Sequence, residues 1–198
     1  MDRRHFLVTS LAGALAAPLA VEAPQPGKVY RVGILGESAS DPSEARLWQT
    51  FRLGLRDLGW IEGGNILIES RWNEGDSARL PGLAADLVRL RVDLIVTRGS
   101  TYVQGARTAT SSIPIVFTMH ADPVATGHAV SLARPGGNIT GLALLQTEIN
   151  RKAFEILISA VPRAKRIAVL WNPDAPSHTP ALKALACIFV LRGESIGP

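Results

Sequence analysis

Cysteine is nearly absent: Cys187 is the only one in 198 residues. That excludes an internal disulfide framework and a cysteine-rich zinc site. The four histidines, His5, His120, His128 and His178, lie far apart, and none has metal-motif spacing. Long runs of one charge are missing too. Only 19% of residues are charged, for a net charge of +4, and Lys and Arg are interleaved with Asp and Glu. Such a surface is a solvated mixed one and gives no nucleic-acid stripe. There is no Walker loop and no Gly-x-Ser-x-Gly elbow, and Gly33-Ile34-Leu35-Gly36 lacks the glycine that would complete a dinucleotide fingerprint. What remains is 46% hydrophobic. That is too apolar for disorder, and the length suits one full domain and part of another.

The first 23 residues read as an address. Arg3 and Arg4 precede an uncharged apolar stretch over residues 6–20, too short to anchor comfortably across a bilayer. Val21-Glu22-Ala23 offers a small-x-small cleavage site. Arg3-Arg4-His5-Phe6-Leu7 resembles a twin-arginine export signal, although Asp2 and Val8 depart from it. General secretion and twin-arginine export both remain open. Either one places the mature chain outside the cytoplasm, with a periplasmic location expected, soluble or tethered at its terminus.

After residue 24 the pattern alternates. Short β-branched runs at 30–35, 65–72, 93–97, 113–118 and 139–144 predict strands. Between them, helical spacing appears at 44–58 (Leu47, Trp48, Phe51, Leu55, Leu58) and at 77–90 (Leu80, Leu83, Ala84, Leu87, Val88). Further helices are expected at 101–108 and, briefly, at 123–132. Apolar strands alternating with amphipathic helices at ~20–35-residue intervals imply a parallel sheet covered on both faces. Beyond it, helix 148–161 with Ile149, Ala153, Ile156, Leu157 and Ala160 inward, strand 166–171 and helix 180–190 predict the start of another unit. The expected architecture is α/β, a doubly wound parallel sheet plus an incomplete second α/β lobe. Its divisions are 1–23 export signal, 24–145 first lobe and 146–198 second-lobe start. Two or three elements cannot close such a lobe, so the chain reads as cut short.

In an open parallel sheet, ligands bind beyond the carboxyl ends of the strands, near the switch in strand order. Here those ends carry Gly36-Glu37-Ser38, Arg98-Gly99-Ser100-Thr101 and Met119-His120-Ala121-Asp122-Pro123. Helix N-termini offer free N–H groups, and a neighbouring hydroxyl adds a donor. Ser38, Ser100 and Thr101 are therefore candidate anion-cradle residues, with ordinary helix capping as the competing role. Asp122-Pro123 has the form of a helix start, and His120 either covers a ligand or bonds a backbone carbonyl. Cys187, in an apolar run, reads as a buried structural thiol. No pairing of base and nucleophile points to catalysis.

Several stretches resemble one family, the periplasmic substrate-binding proteins of ABC transporters, in the branch tied to tryptophan and other aromatic amino acids. They are Arg31 to Gly36, Phe51 to Gly59, Asn65 to Trp72, Leu80 to Arg98, Ile113-Pro114-Ile115-Val116-Phe117, Ala121-Asp122-Pro123-Val124, Ser131 to Gly141 through Arg134-Pro135-Gly136-Gly137-Asn138, and Ala164 to Pro173. The resemblance implies two α/β lobes gripping a small solute, such as an aromatic amino acid, by hinge closure. It also implies docking on a membrane permease, no cofactor and no nucleic acid. On matching positions it places Ser38, Ser100, Thr101, His120 and Asp122 on the first lobe, with Asn172 across the cleft. The pattern is left after Leu182-Lys183-Ala184-Leu185-Ala186, where six apolar residues run together to Leu191. A truncated or frameshifted product is the expectation. The competing readings are a nucleotide-dependent enzyme on the same sheet, which the missing phosphate fingerprint opposes, and the sensing domain of a regulator, which the export leader opposes.

Overall fold

A computed structural model describes residues 27–164 and 166–191. The expected export segment lies outside the described residues, as do residues 192–198 and the side chain of Cys187. The strands are β1 Tyr30–Gly36, β2 Ile66–Trp72, β3 Leu94–Arg98, β4 Ile115–His120 and β5 Ile139–Ala143. The helices are α1 Pro42–Asp57, α2 Leu80–Arg89, α3 Gly99–Ala109, α4 Gln146–Ala160 and α5 His178–Leu191, with a 3-10 turn at Ser77–Arg79 ahead of α2.

All five strands pair in parallel in the order β2-β1-β3-β4-β5. The chain winds outward from β1 to β2, then returns to the other side of β1 for β3, so the switch falls between β1 and β3. Successive side chains of β1 point to opposite faces. Leu35 joins Leu87, Ile95, Val103, Ile115 and Phe117 under α2 and α3. Ile34 joins Val32, Val96 and Trp48 under α1. Burying each of these larger side chains stabilises the fold by roughly 1.5–3 kcal/mol. The doubly wound expectation is met.

Three local expectations are not. The segment after Asp122 makes a single turn: Asp122 Oδ1 accepts from Ala125 N–H, and then Gly127, at φ +71°, ends it. No helix forms at 123–132. Residues 166–171 form no strand. Strands are stabilised by neighbours, and no described strand lies beside this one. For the same reason α4 does not bury the face its spacing predicts. Ile149, Ile156 and Leu157 are exposed, only Phe154 is buried, and the helix packs chiefly on α5.

β4 and β5 are out of step between Phe117 and His120, a bulge that shifts the register by one residue. Met119 takes φ +54° there. On the partner strand, a Cβ on Gly141 would sit 1.9 Å from the Phe117 carbonyl oxygen, so only glycine fits. The bulge turns Met119 outward and His120 inward at the strand's carboxyl end.

Candidate functional site

The carboxyl ends of β1, β3 and β4 enclose a cavity of about 290 Å³ at the switch in strand order. Gly36 ends β1 and Glu37 follows it, Arg98 ends β3 and Gly99 begins α3, and Met119 comes from β4, while Glu44, Tyr102 and Leu144 complete the wall. Gly36 is required there: the Trp72 ring lies over it, and a Cβ would come within 2.4 Å of that ring.

Glu44 enters this wall because α1 starts where it does. Asp41 caps the helix, its Oδ1 accepting from Ser43 N–H at 2.7 Å and Glu44 N–H at 3.0 Å. That fixes Glu44 in the first turn, 95% buried. One of its carboxylate oxygens accepts from Trp48 Nε1 at 3.0 Å, and the other accepts from Arg98. Tyr102, one turn into α3, donates to Asn73 Oδ1 at 3.2 Å, and Asn73 is itself 2% exposed. Burial, and then the nearby Glu37 charge, push the Tyr102 hydroxyl up to about 12, so it is a donor across the working pH range.

The structure sorts the residues singled out in the sequence. Ser38 follows the wall residue Glu37 without lining the cavity itself; its hydroxyl donates to Glu74 Oε2 at 2.6 Å, and Glu74 N–H bonds the Glu37 carbonyl at 2.6 Å. Ser38 therefore staples two loops beside a carboxylate, a poor place for an anion. Ser100 is buried and Thr101 half-buried, and neither side chain lines the cavity; Gly99 and Tyr102 do. What α3 presents is its uncapped start, whose first-turn N–H groups have no partners within the helix. Asp122 caps its own turn. Asn172 is exposed, and its Oδ1 accepts from Asp174 N–H at 2.9 Å in a tight local turn, away from the cavity wall.

His120 is drawn inside, with no exposed surface. The Asp122 N–H, which can only donate, bonds its Nδ1 at 3.2 Å. The proton of His120 must then be on Nε2, which donates to His128 Nδ1 at 2.7 Å. His128 in turn donates from Nε2 to Gln104 Oε1 at 2.8 Å. Ser100 Oγ lies 3.5 Å from His120 Nδ1. Burial above all lowers both rings to about 4, with the charge of His128 adding to the effect on His120 and that of Arg107 to the effect on His128. Both rings are neutral at neutral pH, and in this structure His120 faces the interior and not the cavity.

Sequence reasoning missed Glu44, Arg98 and Tyr102. Arg98 had a readable signal, a charged residue ending an otherwise apolar strand. Glu44 had none, since an acid in the first turn of a helix is ordinary. Among the described residues, no group of three or more His, Cys, Asp or Glu side chains could hold a metal ion, and no helix is long and apolar enough to cross a membrane.

Known proteins share this fold. The chain is 32% identical over 146 residues to a tyrosine-binding protein of Clostridioides difficile, covering 73% of this chain and 41% of that one. A crystal structure of a conserved domain protein from Vibrio cholerae superposes with a TM-score of 0.71 at 27% identity, over 85% of this chain and 56% of the other. A Streptococcus pneumoniae ABC domain crystallised with L-Trp superposes at 0.68 and 21% identity, over 86% and 56%. The chain thus spans about half the length of these proteins. The model of the ABC transporter substrate binding protein family matches residues 34–189, from the end of β1 through β5 and including every cavity-wall residue, and the chain belongs to that family.

Proposed function

We propose that this chain is the first lobe, with the start of the second, of an extracytoplasmic solute-binding component of an ABC transporter. The observation that carries this is the cavity at the strand ends of β1, β3 and β4 in a chain of this family. At about 290 Å³ it holds a solute the size of an amino acid. Tyr102, Met119 and Leu144 offer an aromatic and apolar wall for a ring, and the start of α3 offers N–H groups for a carboxylate. Relatives that bind tyrosine and L-Trp support an aromatic amino acid as ligand. The role is binding without bond chemistry.

The division proposed is 24–145 for the first lobe and 146–198 for the second-lobe start. The facing wall comes from second-lobe residues, and hinge closure buries the ligand between the two. Residues 1–23 direct export to the periplasm, and the closed form docks on a membrane permease. A thermal-shift screen of amino acids on the purified chain tests the binding step. A ligand at a hundredfold excess over its Kd adds about 2.7 kcal/mol of stability, a readily measured rise in Tm. A Tm unmoved by every aromatic amino acid refutes the reading.

A further inference from the structure

The Arg98–Glu44 pair is more than a link between β3 and α1. Arg98 keeps a third of its side chain exposed at the cavity wall, whereas the side chain of Glu44 beside it is almost wholly buried. Both Glu44 oxygens are spent, one on the indole N–H of Trp48 and one on a single Nη of Arg98. A solute entering the cavity therefore meets the more exposed guanidinium, while both carboxylate oxygens in the same wall are already engaged. A guanidinium carries five N–H donors in a planar fork, and among the described residues Glu44 accepts the only side-chain hydrogen bond from Arg98. The remaining edge is free to take a carboxylate in the bidentate manner. The next residue, Gly99 at φ +76°, begins α3 in the same wall, and that helix start has no side-chain cap.

Resting on the reading of this cavity as the ligand seat, we propose that Arg98 fixes the ligand's carboxylate and that Glu44, held by Trp48 and by the Asp41 cap, is the positioning residue that aims it. The apolar body of the ligand then lies along Met119 and Leu144. Glu37, an exposed carboxylate in the same wall, repels a second negative charge, so the seat takes a monocarboxylate in preference to a dicarboxylate.

The test uses the full chain with three probes: L-tyrosine, L-tyrosinamide, which lacks the carboxylate charge, and sodium acetate, which has little else. The Arg98 side-chain Nε–H resonance, assigned by its loss in Arg98→Lys, is followed by NMR, and affinities are measured by calorimetry. Acetate and L-tyrosine should shift the resonance saturably, and the amide should not. Arg98→Lys and Glu44→Gln should each weaken L-tyrosine by about tenfold or more while changing the amide less than about twofold. Glu44→Gln keeps an oxygen for Trp48, and circular dichroism verifies its fold. Loss of both probes in equal measure, or a resonance that neither carboxylate moves, overturns the assignment. A resonance moved by acetate in a protein that takes L-tyrosine no more tightly than acetate sinks the aromatic amino acid reading and leaves Arg98 as the carboxylate group.

Discussion

Acidifying the protein from about pH 7 to about pH 4 should remove a large part of its stability through two side chains. His120 and His128 are buried, neutral and bonded to each other, and each is held near 4 against an ordinary 6.5. The unfolded chain takes up protons on both rings as pH falls below about 6.5, while the folded chain refuses them until about 4. In that window the unfolded state binds more protons, so stability rises with pH and falls on acidification. Holding a ring near 4 against an ordinary 6.5 corresponds to roughly 3 kcal/mol, and the two rings together to at most about 7 kcal/mol. Against a typical domain stability of about 5–15 kcal/mol, that is enough to unfold a marginal protein. The other charged groups acting on the rings are Asp122, which favours the charged form of His120, and Arg107, which opposes that of His128. Urea unfolding followed by tryptophan fluorescence at several pH values measures the slope. His128→Gln preserves the hydrogen-bond chain, because its amide accepts from His120 and donates to Gln104, yet it cannot titrate. The variant should show about half the loss between pH 6.5 and 4. A wild-type stability that is flat across this window, or an equal slope in the variant, refutes the buried neutral pair.

Three further outcomes follow from single contacts. Gly141→Ala should cost at least about 3 kcal/mol in urea unfolding, because its Cβ would collide with the Phe117 carbonyl and push β5 off the sheet. Asp41→Ala removes the acceptor of two first-turn N–H groups of α1 and should cost about 1 kcal/mol by the same measurement. Ser38→Ala should lose no more than about 1 kcal/mol and leave L-tyrosine affinity within about twofold, since that hydroxyl is committed to Glu74; a tenfold loss of affinity by calorimetry would return Ser38 to the ligand.

The sheet was legible because burial on two faces leaves a strong mark. Runs such as Ile34-Leu35 and Ile95-Val96 have no polar partner face, which only a covered parallel sheet tolerates. The predicted and observed strands from Tyr30 to Ala143 differ by no more than two residues at each end. Reading failed where periodicity reports what a segment would bury given a partner. Residues 166–171 have a strand's composition and no strand beside them, and Leu170 stands fully exposed. α4 has a helix's apolar stripe and, beyond α5, little for that stripe to cover.

The site was legible in place but not in its members. Strand ends at a switch point are set by topology, so the cavity lies where the sequence put it. Which side chains reach it depends on backbone irregularities that no local pattern encodes. The bulge opposite Gly141 exchanges the roles of Met119 and His120, carrying a thioether to the wall and an imidazole to the interior. Had β4 continued in register, alternation would have kept the side chain at 119 on the face opposite Thr118 and His120. Ser100 and Thr101 lost the wall for a similar reason. α3 begins at Gly99, directly on the strand's last residue, so its first-turn hydroxyls rotate toward the core and the half-buried flank while Tyr102 comes round to the cavity. Arg98, two residues before Ser100, stands in the wall instead, and the Glu44 carboxylate that pairs with it comes from 54 residues away in sequence. Such long-range pairs are set by the sheet order, and the sheet order is the one property of this site that the chain's apolar spacing fixes in advance.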